Sequence, residues 1–481
     1  MNRRDFLLSS LSAAALTGAS AGIGLRPSVA RAAPGFSFGR TVVNVMLVGG
    51  ADLRCLFVPH PSRSRPYAEA FWEARRDLYQ LGGSNASRYP SYAVVWSDLY
   101  RPVERDGVAF GILESAGWLA QRFAAGEVAI VANVLIGKTR RHDLGRLIAH
   151  AGDPGTPPYV SSRDGWGGRF TEALGDAKTL VVTDTVSVFG LGTDPQNRTG
   201  RLIHAPDTRS LSLPAAVPRK PTTEQNAFAR ALAAYYAQKS RELADQPDDW
   251  PYRRFVEHDQ SLRRLSEAIE RRYAEAAPTQ PRALLDLYAP GTRIPLADRG
   301  FGRQCASIYD GVLAGDLFRM RVGSMSIDGW DTHGAQMEIF PTLVEDVFGA
   351  GRGLATLTAE LAAIGCDDDV VFVFNSDFGR QLAANGDGGT DHGRGTYMIV
   401  VGRGVRGGVY GEMFPEAEIA GGPGSRLYDA PGADIVALTS FERVLAAVCD
   451  WAKPGSGARV FPGARTSDRE PGSDVGNLMR G

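Results

Sequence analysis

The chain has 481 residues and a formal net charge of −1, with 53 basic and 54 acidic side chains. This length allows two or three domains, or one large α/β domain with insertions, and the balanced charge excludes a strongly basic nucleic-acid-binding surface. The four cysteines show no Cys-x-x-Cys spacing, so a thiolate zinc or iron–sulfur site is not expected. Disulfides and free buried thiols are both compatible with their number.

Residues 1–32 are predicted to be an export signal outside the folded domain. Arg3–Leu7 matches the twin-arginine pattern Arg-Arg-x-Phe-Leu, and Ala30–Ala32 matches a small-x-small cleavage site. The intervening stretch is too polar for a good membrane span, although an uncleaved anchor is the alternative. We expect a periplasmic or secreted protein that engages the twin-arginine translocase during export and keeps no stable span. That route carries folded proteins, which favours a metalloprotein.

The first two predicted strands each end in polar residues. Thr41–Val48 is an apolar run typical of a strand buried on both faces, and Asp52 follows it after two glycines. A helix or turn cap is the other interpretation of Asp52. Glu127–Asn133 predicts the second strand, and the basic segment Lys138–Asp143 follows it. Arginines and a histidine past a strand end suit an anionic substrate, whereas a solvated turn is the alternative.

The middle of the chain alternates between sheet and helical insertion. Thr179–Thr183 predicts a third strand, and the charged, proline-punctuated region 214–281 predicts two helices that form an insertion or cap. Phe318–Ser326 predicts a further strand and leads to Asp331 and His333. Two residues apart in an extended loop, these side chains project to the same side; a simple turn is the alternative.

The last part of the core repeats the pattern of a strand followed by polar groups. A predicted helix, Pro341–Ile364, leads to the buried run Val370–Phe374. Asp377 and Arg380 follow that run, and a glycine-rich loop then carries Asp391 and His392. The sequence ends with another buried strand, Tyr397–Val401, a helix over Ala437–Trp451, and a polar tail, 465–481, predicted to be flexible.

These strand ends are expected to meet at one edge of a parallel sheet. Carboxylates and imidazoles on flexible loops are ligands for divalent metals. We therefore predict a site for zinc, manganese, calcium or magnesium built from Asp52, Asp331, His333, Asp377, Asp391 and His392. Arg140 and Arg380 are expected to neutralise an anion, and His142 or His333 to act as acid or base.

Five segments carry a family resemblance: Gly49–Asp52, Arg140–His142, Trp330–Gln336, Ser376–Arg380 and Gly389–Gly393. Together they resemble the motif series of the DUF1501 family, exported and mostly twin-arginine-dependent bacterial proteins of unassigned activity. The likeness spans Thr41 to Trp451. The family in turn resembles the alkaline phosphatase and sulfatase superfamily. This implies an alkaline-phosphatase-like αβα sandwich over 33–464, with a mostly parallel sheet and a metal site at its strand ends.

The resemblance also implies roles and shows two departures. In the alkaline phosphatase superfamily, an aspartate follows the first strand, an Asp and His set comes later, and a final histidine completes the site. Asp52 resembles that aspartate, Asp331 with His333 resembles the later set, and His392 resembles the final histidine. Asp377 falls at the third ligand position, but Phe378 stands where the phosphatases have histidine, which puts a second metal in doubt.

The second departure concerns the nucleophile. Arg141 stands where the family usually has serine, and the nearest hydroxyl, on Thr139, is out of register. No nucleophile is assigned, and metal-activated water is the alternative.

Two functions follow as hypotheses. The first is an exported metal-dependent hydrolase that acts on a small phosphate or sulfate ester. The second is a non-catalytic protein of the same fold that serves in periplasmic binding or assembly. The retained Asp and His residues favour the enzyme, whereas Phe378 and Arg141 favour the second hypothesis. The sequence assigns neither the substrate nor the oligomeric state.

Overall fold

The computed structural model describes residues 39–481 except 63–65, 82–88, 154–162, 209–222, 272–279, 290–295, 420–436, 465–474 and scattered positions between 186 and 270 and at 438. The predicted signal, 1–32, therefore lies outside the described residues, as does much of the second helix predicted for the insertion. No helix among the described residues is long and apolar enough to cross a membrane.

A large, mostly parallel sheet organises the fold, as predicted. The strands are β1 Thr41–Leu47, β2 Phe57–Pro59, β3 Tyr100–Arg105, β4 Val108–Leu113, β5 Val128–Leu135, β6 Lys178–Val181, β7 Leu202–His204, β8 Met320–Ile327, β9 Val370–Ser376, β10 Gly379–Ala384, β11 Thr390–Gly393, β12 Gly395–Val401, β13 Gly408–Tyr410 and β14 Thr439–Ser440. The central sheet runs β13-β5-β12-β9-β1-β8-β6-β7, with β14 beside β5. Among these strands, β12 is antiparallel to both of its neighbours, β5 and β9.

Both faces of the sheet are buried because the apolar residues of its strands alternate between two cores. In β1, Val43 and Val45 belong to one core, and Val42 and Met46 belong to the other. Helices cover both faces, so the fold is an αβα sandwich. The helices are Leu53–Leu56, Tyr67–Ala74, Tyr92–Leu99, Gly117–Ala124, His142–Ala151, Trp166–Leu174, Thr223–Glu242, Arg282–Asp286, Leu296–Leu313, Gly315–Phe318, Gln336–Phe348, Gly353–Ala363, Phe441–Ala452 and Ser456–Val460.

The helix predicted over Pro341–Ile364 is two helices. The first begins earlier, at Gln336, and ends at Phe348, and the second covers Gly353–Ala363. The break contains Gly351, whose φ of 70° is a left-handed conformation that favours glycine. The apolar periodicity continues across the break because both helices pack on the same core, so the pattern alone did not show the interruption.

Two further expectations are refined by the structure. Residues 475–481, predicted to belong to a flexible tail, pack against the domain: Val475 and Leu478 are buried, and Met479 pairs with Val405. Residues 465–474 of that tail lie outside the described residues. All four cysteines are free and buried, so neither of the disulfides allowed by the sequence is present.

Candidate metal centre

The carboxyl ends of β1, β8 and β9 meet at a tight turn formed by Gly49 and Gly50. Their φ angles are 123° and 74°, and a Cβ on Gly49 would lie 2.3 Å from the backbone nitrogen of Asp331. Glycine is therefore required at a point where two chain segments nearly touch. Asp377 Oδ1 accepts hydrogen bonds from both glycine amides, at 2.9 and 2.7 Å. Arg380 donates to both glycine carbonyls, at 2.6 and 2.7 Å.

His142 lies at the first turn of the helix His142–Ala151, directly after the basic segment that follows β5. Its Nδ1 is 2.6 Å from Asp377 Oδ2. Its Nε2 is buried, has no hydrogen-bond partner, and lies 3.3 Å from Asp331 Oδ2. An imidazole nitrogen that faces a carboxylate without a hydrogen bond is a donor atom available to a cation.

His392 approaches from β11, where it pairs with Arg380 of β10. Its Nδ1 donates to the carbonyl of Arg140 at 2.8 Å, and its Nε2 lies 3.1 Å from Asp331 Oδ1. Burial lowers the pKa of His392 although the Asp331 carboxylate and the Arg140 carbonyl oppose this effect. This shift favours the neutral imidazole, the form that binds metals.

Phe378 explains one departure from the phosphatase pattern. Its buried ring packs 4.7 Å from the His142 ring and 4.5 Å from the His392 ring, measured between centroids. The Phe378 ring therefore packs against both imidazoles and supplies no metal ligand itself. An apolar contact of this kind restricts the rotation of both rings.

Asp331 is the carboxylate at the centre of the group. Partial burial opposes its ionisation, but the hydrogen bond from Arg380 and the contact with His392 outweigh that effect and lower the pKa of Asp331 to about 2. Arg380 Nη2 binds Asp331 Oδ1 at 2.5 Å, whereas Asp331 Oδ2 faces His142. One carboxylate oxygen therefore points toward an imidazole nitrogen while the other is tied to a guanidinium.

His333 completes the group on its solvent side. Its Nε2 lies 2.8 Å from His392 Nε2 and 3.2 Å from Asp331 Oδ1. Its Nδ1 lies 3.1 Å from Asp391 Oδ1, which also accepts from the Asn385 amide. Asp391 thus supports His333 on the side away from the other donors, and both side chains are more exposed than those of His142 and His392.

The donor atoms of His142, Asp331 and His392 all lie within 4.8 Å of one another, and His333 adjoins them. Each of the three imidazoles turns its Nδ1 to an oxygen, from Asp377, Asp391 or the Arg140 carbonyl, and directs Nε2 inward. This pairing of a ligating nitrogen with an outer oxygen is typical of metal-binding histidines.

The charge of the group also suits a divalent cation. With neutral imidazoles, the carboxylates of Asp331, Asp377 and Asp391 and the guanidinium of Arg380 leave a net charge of −2. The residues present therefore fit a divalent metal in both geometry and charge.

Asp52 lies outside this group, although the sequence predicted it to be a ligand. Arg75 binds both of its carboxylate oxygens, at 2.8 and 3.1 Å, and Gln336 and Thr390 also donate to it. Burial works against the charge of Asp52, but Arg75 and the hydrogen bonds hold its pKa below the ordinary value. The positive charge that pairs with Asp52 is therefore the Arg75 guanidinium and not the metal ion expected from the sequence.

The structure also redistributes the other predicted roles. Arg380 is buried and donates to carbonyl groups of three chain segments, at Gly49–Gly50, Trp330 and Thr390, as well as to Asp331, so it holds the site together and does not face a substrate. Asp377 and Asp391 contact the histidines from outside, and His142, predicted as an acid or base, lies among the ligand donors.

Sequence reasoning missed Arg75, which directly follows the helix Tyr67–Ala74 and belongs to no motif. It also gave no role to Gln336, although Gln336 ends one of the five quoted motifs. The polar residue at the end of that motif was the available signal.

The fold and the site together define an αβα-sandwich protein with a candidate mononuclear metal centre at the carboxyl edge of its sheet. The chain belongs to the family described as "Protein of unknown function (DUF1501)", whose profile matches residues 40–418. The family expected from the motifs is thereby confirmed. No curated protein matches the sequence.

Proposed function

We propose that this protein is an exported, metal-dependent hydrolase of phosphate or sulfate esters. The observation that carries the proposal is the buried, unpartnered Nε2 of His142, directed at Asp331 beside the inward-facing nitrogen of His392. A set of imidazoles with a single carboxylate favours zinc over calcium or magnesium, which prefer oxygen ligands.

The exposure of the group supports a catalytic role over a purely structural one. The side chains of Asp331 and His333 are 46% and 43% exposed, whereas the His142 side chain lies deeper. Catalytic metal sites characteristically combine three protein ligands with a position open to water or substrate. The side of the group that carries His333 provides such an opening.

Three hydroxyl groups near the site are engaged elsewhere, whereas the buried Thr332 Oγ1 has no hydrogen-bond partner among the described residues. Ser376 Oγ donates to the Leu47 carbonyl and accepts from the Ala51 amide. Thr390 Oγ1 binds Gln336 and Asp52, and Thr139 Oγ1 accepts from the Arg141 amide. A bound divalent metal would supply a nucleophile by lowering the pKa of water and would polarise the ester oxygen. The chain's own residues would position that ion and orient the ester.

The basic segment that precedes His142 is the proposed binding side for the anionic ester. The Arg140 carbonyl contacts His392, so the backbone of this segment lies against the donors. Lys138 and Arg141 are exposed, and Arg141 pairs with Asp143 at the surface. Arginine suits phosphate and sulfate because its planar guanidinium can bind two oxygens at once.

Export by the twin-arginine route, cleavage near Ala33 and a periplasmic or secreted location belong to the same proposal. They rest on Arg3–Leu7 and on the small-x-small site.

The test begins with the metal content of the mature protein, purified from periplasm without chelators and measured by elemental mass spectrometry. We expect about one equivalent of a zinc-class metal in the wild type and a loss of most of it in His392→Ala. His60→Ala is the matched control, because His60 packs on Trp96 outside the group. Hydrolysis of p-nitrophenyl phosphate and p-nitrophenyl sulfate is then measured with the metal found.

A metal-free wild type that also takes up none on soaking would refute the proposal. A metal-loaded protein without esterase activity on either substrate would instead support the non-catalytic hypothesis, which Phe378 favours by occupying a phosphatase ligand position with an apolar ring.

A further inference from the structure

Asp377 is held more tightly than any other carboxylate near the proposed metal. It is fully buried. Its Oδ1 accepts from the amides of Gly49 and Gly50 and lies 3.1 Å from Ser376 Oγ. Its Oδ2 lies 2.6 Å from His142 Nδ1. Both oxygens therefore have protein partners, and neither is directed at the other ligand donors.

This arrangement dictates which nitrogen of His142 carries the proton. An ionised carboxylate only accepts hydrogen bonds, so at 2.6 Å the Nδ1 of His142 must donate. A neutral imidazole with its proton on Nδ1 has its lone pair on Nε2, the atom that faces Asp331. The proton on Nδ1 is thus what makes the inward-facing nitrogen a ligand.

We infer that Asp377 is a positioning residue that selects the ligating tautomer of His142, and not a metal ligand. The inference rests on the proposed function, because the tautomer of His142 is important only if its Nε2 binds the metal. It revises the assignment of Asp377 from the sequence. It also explains why the glycine turn after β1 belongs to the site: Gly49 and Gly50 orient Asp377, and Asp377 orients His142.

The other two histidines provide internal comparisons. His392 donates to the Arg140 carbonyl, which can only accept, so its tautomer is independent of Asp377. His333 faces Asp391, a carboxylate that is 52% exposed and in contact with solvent. Water can replace an exposed partner of this kind, whereas nothing replaces the buried Asp377.

The test uses Asp377→Asn in the mature full chain. The asparagine oxygen retains the acceptor for the two glycine amides, so the turn keeps its hydrogen bonds. The asparagine amide group replaces the oxygen that faces His142 Nδ1, and because it can only donate, Nδ1 must become an acceptor. The proton is expected to move to Nε2, where it blocks the lone pair that would bind the metal.

The tautomer is read directly by nitrogen-15 NMR of metal-free protein with labelled histidine, at about pH 8, above the ordinary imidazole pKa. His142 is assigned with the variant His142→Gln. In the wild type, the proton of His142 is expected on Nδ1, and in Asp377→Asn on Nε2. The His392 signal should keep the Nδ1-protonated form in both proteins, which also reports that the fold is intact.

Zinc affinity, measured by competition with a chelating dye, supplies the second readout. Loss of an outer partner of a ligating histidine typically costs 10–100-fold in affinity, so we expect that loss in Asp377→Asn with unchanged stoichiometry. Asp391→Asn is the matched control and should lose less, because its partner His333 lies at the exposed side. His142→Ala should lose more than Asp377→Asn.

A wild-type His142 with its proton on Nε2 would overturn the inference without any variant. So would an unchanged tautomer in Asp377→Asn, or a loss of zinc stoichiometry as complete as in His142→Ala. If the wild type shows the expected tautomers but binds no zinc, the proposed function fails, while the positioning of His142 by Asp377 stands.

Discussion

The buried ion pair between Asp52 and Arg75 offers the sharpest test of which carboxylates serve the fold and which serve the metal. The Arg75 side chain is 0% exposed and that of Asp52 is 1% exposed, and two hydrogen bonds join them. Arg75→Met removes the guanidinium and keeps an apolar stem. Asp52 then stays buried with Gln336, Thr390 and the Cys55 thiol as its side-chain donors among the described residues.

Breaking a buried ion pair on one side typically costs about 3–5 kcal/mol, because a charge is left uncompensated. We expect Arg75→Met to lose stability within this range near neutral pH. The control is Arg101→Ala, which breaks an ion pair with Glu114 whose partners are each 49% exposed. Exposed pairs contribute about 0–1 kcal/mol, so this variant should differ little from the wild type.

The pH dependence of the loss follows from the pKa of Asp52. In the wild type, Arg75 holds that pKa below its ordinary value despite burial, so the pair stabilises the fold above the unfolded pKa of about 3.9 and loses this contribution as pH falls through the folded pKa. Without Arg75, burial raises the pKa of Asp52 against only the weaker effects of Gln336 and Arg380, so the fold favours the protonated acid more than the wild type does. The destabilisation of Arg75→Met should therefore be largest near pH 7 and shrink toward about pH 4.

The assay is urea unfolding followed by tryptophan fluorescence at two pH values, with a double-mutant cycle of Arg75→Met and Asp52→Asn. The double variant is expected to be more stable than the sum of the single changes predicts, because it leaves no unpaired buried charge. Asp52→Asn should also keep the metal content of the wild type. A loss in Arg75→Met below about 1 kcal/mol, or a loss that does not change with pH, would refute the ion-pair reasoning. A loss of metal in Asp52→Asn would return Asp52 to the ligand set.

Three further outcomes are expected. Asp331→Asn should reduce bound metal to less than about a tenth by elemental analysis, since it removes the carboxylate shared by the donors; full occupancy would contradict the site. Gly50→Ala should lower stability in urea by about 1–3 kcal/mol, because φ is 74° and the new Cβ would lie 2.5 Å from the Phe378 ring. Gly107→Ala, with φ of 77° and no atom within 4 Å, is its control and should lose less. Burial and Arg146 lower the pKa of His150 to about 4. The wild type should therefore lose up to about 3 kcal/mol of stability as pH falls from about 6.5 toward 4, and His150→Gln should reduce that loss. The prediction is refuted if the urea midpoint changes equally with pH in the wild type and in His150→Gln.

The core strands could be predicted from sequence because their burial on both faces leaves a strong local signal. Val370–Phe374 is continuously apolar and β-branched or aromatic, and it forms the first part of β9, which ends at Ser376. The direction of a strand is different, since it depends on partners distant in the chain. Strand β12, Gly395–Val401, resembles its neighbours β5 and β9 in composition, yet it runs antiparallel to both of them.

The place of the site followed from the sequence as well, because polar residues after strands of a parallel sheet gather at one edge. His142, Asp331, His333 and His392 were all named from their positions alone, and the structure brings them together. The sequence did not show which of the polar residues are candidate ligands and which support the ligands. Asp52 and Asp377 are both aspartates at strand ends, and only packing distinguishes them.

The sequence by itself thus predicted six strands of the central sheet, the family, and the sheet edge at which the candidate ligands lie, because these features depend on local composition and short motifs. The tertiary structure alone decided what each charged group faces. Arg75, just after the helix Tyr67–Ala74, binds Asp52 from 23 residues away in the chain, and Asp377 contacts His142 across 235 residues. Charge and hydrogen bonding act over a few ångströms of space. The fold, and not the spacing in sequence, therefore decides whether a carboxylate forms an ion pair, supports a ligating histidine or binds a metal itself.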